Sequence, residues 1–478
     1  MELQLACQSS VKTQSSYNNK RRALCRWGVF WFVFGFAQPS FSSERPAYSQ
    51  IAEIVIRQGM SEQYAYSFLR KLTAIGPRLT GSPQAAAAVE LVRQEMQDLG
   101  FESVHLEPTT VGRWVRGEAE EARLISSLVG VVPLSVSALG GSLATPEDGI
   151  SAPVLEVKSF EELEAKSDRA KGKIIFFNRA MDPSLLDTFQ AYGQAAEQRV
   201  QGAVEAAKAG GVAALVRSLA LGEDDFPHTG LMKYDPRVAE IPAASVSTRD
   251  AAILSEALRK DPNLIVHLKM SCATLAPVIS YNVVGQITGT EKPAEIILLG
   301  AHLDSWDLGA GAHDDGAGCS HVVEAIHLVK SAGLKPKRTI RGVLFMDEEF
   351  GGTGGRDYAR SELRKTEKHL AAVESDRGGF LPVGLGVAGE AALKRVQSWS
   401  DIFKPLGVHW IKPGGGGVDI APLAESGAIL MGLVPDSQRY YDAHHCSQDI
   451  LAAVHPRELE LGAIVLAILS YLLAEEGI

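Results

Sequence analysis

Residues 296–318, IILLGAHLDSWDLGAGAHDDGAG, pass from an unbroken apolar run into a glycine-rich loop and then toward a helix start. A short run such as 296–300, apolar on both faces, suits a strand buried on two sides in a parallel sheet. The chain leaves that strand through His302 and Asp304 and reaches Asp314 and Asp315 just before a helix opens near Gly316. In open α/β sheets, ligands bind outside the carboxyl ends of the strands. These side chains fall there. Carboxylates gathered beside an imidazole, with no Lys or Arg to neutralise them, repel one another, and a divalent cation removes the conflict.

The rest of the C-terminal half repeats the arrangement. From residue 277 on, apolar strands alternate with helical stretches: SYNVVGQI, EIILLGAH, a helix over 316–332, TIRGVLFMD, a helix after Gly355, HLAAVESD and, at 428–435, AILMGLVP. Such alternation predicts βαβ units. The fold class expected is α/β, a mainly parallel mixed sheet flanked by helices. TIRGVLFMD ends in Asp347, Glu348 and Glu349, ahead of GGTGG. Adjacent glutamates at a strand end point in different directions, so one can bind a metal while the other stands over an open coordination position. HLAAVESD ends in Asp376, and YYDAHHCSQD offers His444 and His445 in a loop after the last strand. Mixed imidazole and carboxylate ligands suit zinc, with manganese or cobalt admissible.

The 478 residues are enough for two domains and a large core. Lys20, Arg21 and Arg22 precede an apolar run at 27–37, WGVFWFVFGFA, too short for a comfortable membrane span. This reads as a secretory signal over 1–37, with an uncleaved anchor as the alternative, and predicts a secreted or periplasmic protein with no stable membrane insertion afterwards. Residues 48–122 read as the first part of the α/β domain: a helix over 85–99, stopped by Gly100, then the alternating FESVHLEP. GPRLTGSP, 76–83, reads as turns. Residues 123–276 change character and concentrate no ligand pattern. They read as an inserted domain, with a helix over 194–209, that helps form or cover the site; residues 277–478 carry the chemistry. The net charge of -10 argues against nucleic acid as a partner. Cys272, Cys319 and Cys446 remain after the signal and make no CxxC pair; one disulfide and a free thiol is an open possibility. The apolar stretch at 458–473 reads as a core helix.

Taken together, HLDSWDLGAGAHDDGAG, DEEFGGTGG, ESD and HHCSQD resemble the M28 family of co-catalytic zinc exopeptidases, nearest its carboxypeptidase Q branch. The likeness runs from about residue 50 to the end and implies a zinc exopeptidase fold with an inserted protease-associated-like domain. It implies two zinc ions per chain, one on His302 and Asp376, the other on Glu349 and His445, with Asp314 bridging. Glu348 would be general base and acid, and Asp304 would orient His302. Asp449 would position the His445 loop, and residues 414–422, GGGGVDIAP, would border the substrate. Two metals about 3.5–4 Å apart can share a hydroxide and polarise a peptide carbonyl. The resemblance therefore implies hydrolysis of small peptides or dipeptides by a homodimer. A zinc aminopeptidase, an N-acyl amino acid amidohydrolase and a non-catalytic receptor-like binding protein are the alternatives.

Overall fold

In the computed structural model, which describes residues 44–478, the apolar run at 296–300 lies inside the Lys292–His302 strand, near the middle of an eight-stranded sheet. The strand order is Glu102–Val115, Ala273–Ile287, Arg338–Phe345, Lys292–His302, Lys368–Glu374, Ile429–Pro435, Pro382–Val387 and Trp410–Pro413. Lys292–His302 runs parallel to both neighbours, and Lys368–Glu374 is also parallel to Ile429–Pro435. Antiparallel pairing is confined to the flanks. The sheet is mixed with a parallel centre.

Side chains alternate across it as the pleat requires. Ile297, Leu299 and Ala301 face a core shared with Val322, Ile326 and Val329 of the Ala317–Ser331 helix and with the C-terminal helix. Ile296 and Leu298 point the other way, into a layer with Phe345, Tyr358, Ile420 and Leu423. Both faces are covered, so the run has no polar alternation. The register sets His302 beside Phe345 and Gly300 beside Glu374. Three parallel strands therefore release their loops at one edge.

The helix read as 85–99 is Pro83–Asp98, capped by the Ser82 hydroxyl, which accepts from Ala85 N–H at 3.0 Å. Gly100 comes next at φ +70° and lets the chain turn out of the helix. The C-terminal helix, Pro456–Glu476, is buried along most of its length. No helix among the described residues is long and apolar enough to cross a membrane.

A second eight-stranded sheet is drawn wholly from residues 120–270; one apolar cluster lies within that segment and another is shared with Leu79, Trp114 and Trp306. Here the single helix expected over 194–209 is two, Thr188–Ala195 and Glu197–Lys208. Cys272, Cys319 and Cys446 are buried and free, so no disulfide joins them. The signal read at 1–37 lies outside the described residues.

Candidate metal centre

His302 closes its strand, and Asp314 sits in the short Ala312–Gly316 segment that leads into the Ala317–Ser331 helix. Glu348 and Glu349 come after the Arg338–Phe345 strand, Asp376 after Lys368–Glu374, and His445 lies beyond the Tyr440–Ala443 helix. The fold brings them together. His302 Nε2 is 3.3 Å from Asp314 Oδ1 and 3.5 Å from Asp376 Oδ1. His445 Nε2 is 3.1 Å from Asp314 Oδ2 and 3.3 Å from Glu349 Oε2. Asp314 thus turns one oxygen to each imidazole. Tetrahedral zinc, with bonds of about 2.0–2.2 Å, sets its ligand atoms about 3.3–3.6 Å apart. The spacing and the mixed N/O donors fit that ion. Glu349 Oε1 is buried without a hydrogen-bond partner, as a carboxylate aimed at a metal would be.

His444 stacks on His445, ring centroids 3.6 Å apart, and its Nε2 lies 3.8 Å from Asp314 Oδ2. Burial and the His445 charge hold it well below the usual histidine range, and it stays neutral. Glu348 makes a further close group with His302 and Glu349.

Asp304 meets His302 mainly through its backbone. His302 Nδ1 meets the backbone carbonyl of Asp304 at 3.0 Å, while the Asp304 carboxylate stands 3.8 Å off. That carboxylate accepts instead from the N–H groups of Asp347 (2.8 Å), Glu348 (3.3 Å) and Glu349 (3.3 Å) and from the Thr80 hydroxyl (2.5 Å). It fixes the loop that carries the two glutamates. Asp449 accepts from the N–H of His313 (2.6 Å) and of Asp314 (3.1 Å), so it holds the Asp314 loop. Asp315 caps the first turn of the next helix through Gly318 N–H and also accepts from His302 N–H. His313 is turned away, its ring stacked on Phe380 at 4.2 Å.

Burial drives the charges here. It would lower His302, but Asp314 and Asp376 raise it well above the ordinary histidine value. Burial would lower His445 too; Glu349 and Asp314 bring it to about 9. Asp314 resists the upward push of burial because His302 and His445 hold it well below the usual carboxylate range. Glu348, Glu349 and Asp376 are all pushed up, first by burial. Buried acids pushed up in this way, beside two imidazoles, suit a place that accepts added positive charge.

Several supporting residues carry no local sequence signal. Arg78, inside the stretch read as turns, is wholly buried and donates to the carbonyls of Leu303, Ala310 and Gly311. Trp306 Nε1 donates to Glu349 Oε2 at 2.6 Å. Glu374, raised to about 8 by burial and Asp376, and Asp419, held well above the usual carboxylate range by burial and Glu374, are acidic neighbours of Asp376. Residues 415–418 of the glycine-rich loop line a small cavity with Glu374 and Asp376.

The site opens into a cavity of about 320 Å³. The residues lining it include Asp314, Glu348, Glu349 and Asp376 and, from the second-sheet segment, Phe189, Tyr192, Arg199 and Lys233.

Residues 282–469 match the profile of peptidase family M28. Carboxypeptidase Q of Mus musculus is 36% identical to the chain, with 93% of this chain and 94% of that protein covered. Carboxypeptidase Q of Homo sapiens is 34% identical, over 95% and 94%. The crystal structure of a peptidase M28 precursor from Shewanella amazonensis SB2B superposes with a TM-score of 0.86 at 35% identity, covering 91% of this chain and 98% of that one. A zinc aminopeptidase from Bacillus subtilis, 22% identical, shares the fold with a TM-score of 0.61 over 87% and 95%.

Proposed function

The chain belongs to peptidase family M28, near its carboxypeptidase Q branch, and from that premise we propose that it is an exported dizinc exopeptidase acting on small peptides. The supporting observation is Asp314, with one oxygen 3.3 Å from His302 and the other 3.1 Å from His445. His302 and Asp376 would hold one ion, His445 and Glu349 the other, and Asp314 both. Zinc, when bound, supplies Lewis acidity to the scissile carbonyl and lowers the pKa of water.

The chain's own groups do the rest. Among the described residues none hydrogen-bonds to the Glu348 side chain to fix it in another role, and it lines the cavity beside Glu349. Its burial-raised pKa suits a carboxylate that takes a proton from water and passes it to the leaving amine. Asp304 keeps Glu348 and Glu349 at fixed positions through their backbone N–H groups. Trp306 orients the Glu349 oxygen from behind. Residues 123–276 serve as an inserted, protease-associated-like domain whose Phe189 and Tyr192 help line the cavity. Export rests on the basic and apolar N-terminal stretch.

A panel of free dipeptides, assayed after chelation and after zinc add-back, tests the reading. N-acyl amino acids run alongside separate a peptidase from an amidohydrolase. Zinc-dependent dipeptide hydrolysis is expected; a zinc-replete protein that cleaves no peptide bond would refute it.

A further inference from the structure

An exopeptidase must sense one end of its substrate, and the sequence alone points to no anchor. We propose that Arg199 receives the free C-terminal α-carboxylate of a peptide in the metal-lined cavity. The assignment rests on the peptidase reading and makes the enzyme a carboxypeptidase or dipeptidase.

The choice comes from comparing buried cations. Among the described residues four arginines are buried: Arg78, Arg199, Arg338 and Arg341. Arg78 donates to three backbone carbonyls, Arg338 pairs with Glu295, and Arg341 pairs with Glu367. Arg199 forms no ion pair with any carboxylate among the described residues, and its Nε has no hydrogen-bond partner. It is only 8% exposed and lines the cavity that holds Asp314, Glu348, Glu349 and Asp376. Leaving a buried guanidinium without a carboxylate is costly unless a ligand supplies one.

The guanidinium is also held in place. It lies over the Tyr192 ring, 5.4 Å from the centroid, and the Tyr192 ring meets His444 edge-on at 5.1 Å. His444 in turn stacks on His445. Behind it, Gly230 comes so close that a Cβ there would stand 2.5 Å from the guanidinium carbon. A planar guanidinium, fixed on one side by backbone and on another by a ring, is set to bind a carboxylate through two parallel hydrogen bonds. Arg199 attracts a substrate carboxylate, so the peptide binds with that end toward it. Lys233, exposed at the rim, adds positive charge on the same side.

The test compares leucyl-leucine with leucyl-leucinamide, which lacks only the terminal charge. Binding is measured by calorimetry on chelator-treated protein, where nothing is hydrolysed, and kcat/KM on zinc-loaded protein. A preference for the acid of about 10²-fold is expected in each, the loss typical of removing a hydrogen-bonded charge. Arg199→Gln should abolish the preference while zinc content and circular dichroism stay unchanged, and Arg199→Lys should retain part of it. Equal treatment of acid and amide by the wild-type protein, or a preference that survives in Arg199→Gln, overturns the proposal. If Arg199→Gln does not fold, the wild-type comparison decides alone. Acid-selective binding that depends on Arg199, without cleavage of either peptide, upholds the anchor and sinks the peptidase reading. Cleavage of both without discrimination does the reverse.

Discussion

Asp304 and Glu348 sit in one small region and are expected to fail in different ways. Glu348 lines the cavity, and none of the four closest imidazole–carboxylate approaches runs through it. Glu348→Gln should therefore keep two zinc ions per chain by elemental analysis and lower kcat by at least about 10³-fold, at the upper part of the range for losing a general base. Zinc loss in that variant would reassign the glutamate as a ligand. Asp304 is wholly buried, and its carboxylate satisfies three successive N–H groups and the Thr80 hydroxyl. Asp304→Ala strands those donors in a buried place, at about 1–3 kcal/mol for each one left unsatisfied. The variant should melt earlier and hold zinc more weakly on the Glu349 side. Unchanged melting with normal zinc would show that the hub is dispensable.

At the scale of elements, the strands are the part legible in the sequence. Each ligand except Asp314 and His445 lies within a few residues of an apolar strand, so local sequence reports the strand together with the polar residues at its carboxyl end. The supports are illegible for the opposite reason. Arg78 reaches Leu303 and Gly311 across more than two hundred residues, and Arg199 enters the cavity from a helix in the second-sheet segment. No spacing rule links such positions. Asp304 is legible as a member of the cluster but not in its role, since only the folded loop shows which donors its carboxylate meets.

The packing of helices Ala317–Ser331 and Pro456–Glu476 hides another feature of this kind. Glu324 and Glu460 are both fully buried there, and among the described residues no other side chain pairs with their carboxyl groups, which hydrogen-bond to each other when one carries a proton. Burial, then the charge of the other carboxylate, raises Glu324 to about 10; burial raises Glu460 to about 7. Unfolded glutamates titrate near pH 4.3. Between that value and about 7 the folded chain holds more protons than the unfolded one, so stability falls as pH rises. The contribution is complete below about pH 4 and is lost as pH passes through 7 and beyond. Glu460→Gln should flatten this part of the pH dependence and raise the melting temperature at pH 8. Parallel wild-type and variant melting curves from pH 5 to 8 would show that the pair does not set the slope.

For the whole molecule, the candidate ligands matter because they leave five separate places in the chain between residues 302 and 445. Ions that join them bind the folded chain and not the unfolded one. Each site should then add RT ln(1 + [Zn]/Kd), about 2.7 kcal/mol when zinc is a hundredfold above Kd. Chelation should lower the melting temperature by several degrees, and the full value should return only at two equivalents of zinc. Asp314 faces both imidazoles, whereas Asp376 stands 3.5 Å from His302 and makes no close approach to His445. Asp376→Ala should therefore lose one equivalent and about half of the zinc-dependent stabilisation. Asp314→Ala should lose both equivalents and nearly all of it. Identical stoichiometry in the two variants would mean that Asp314 is not shared, and the two-ion arrangement would fall with it.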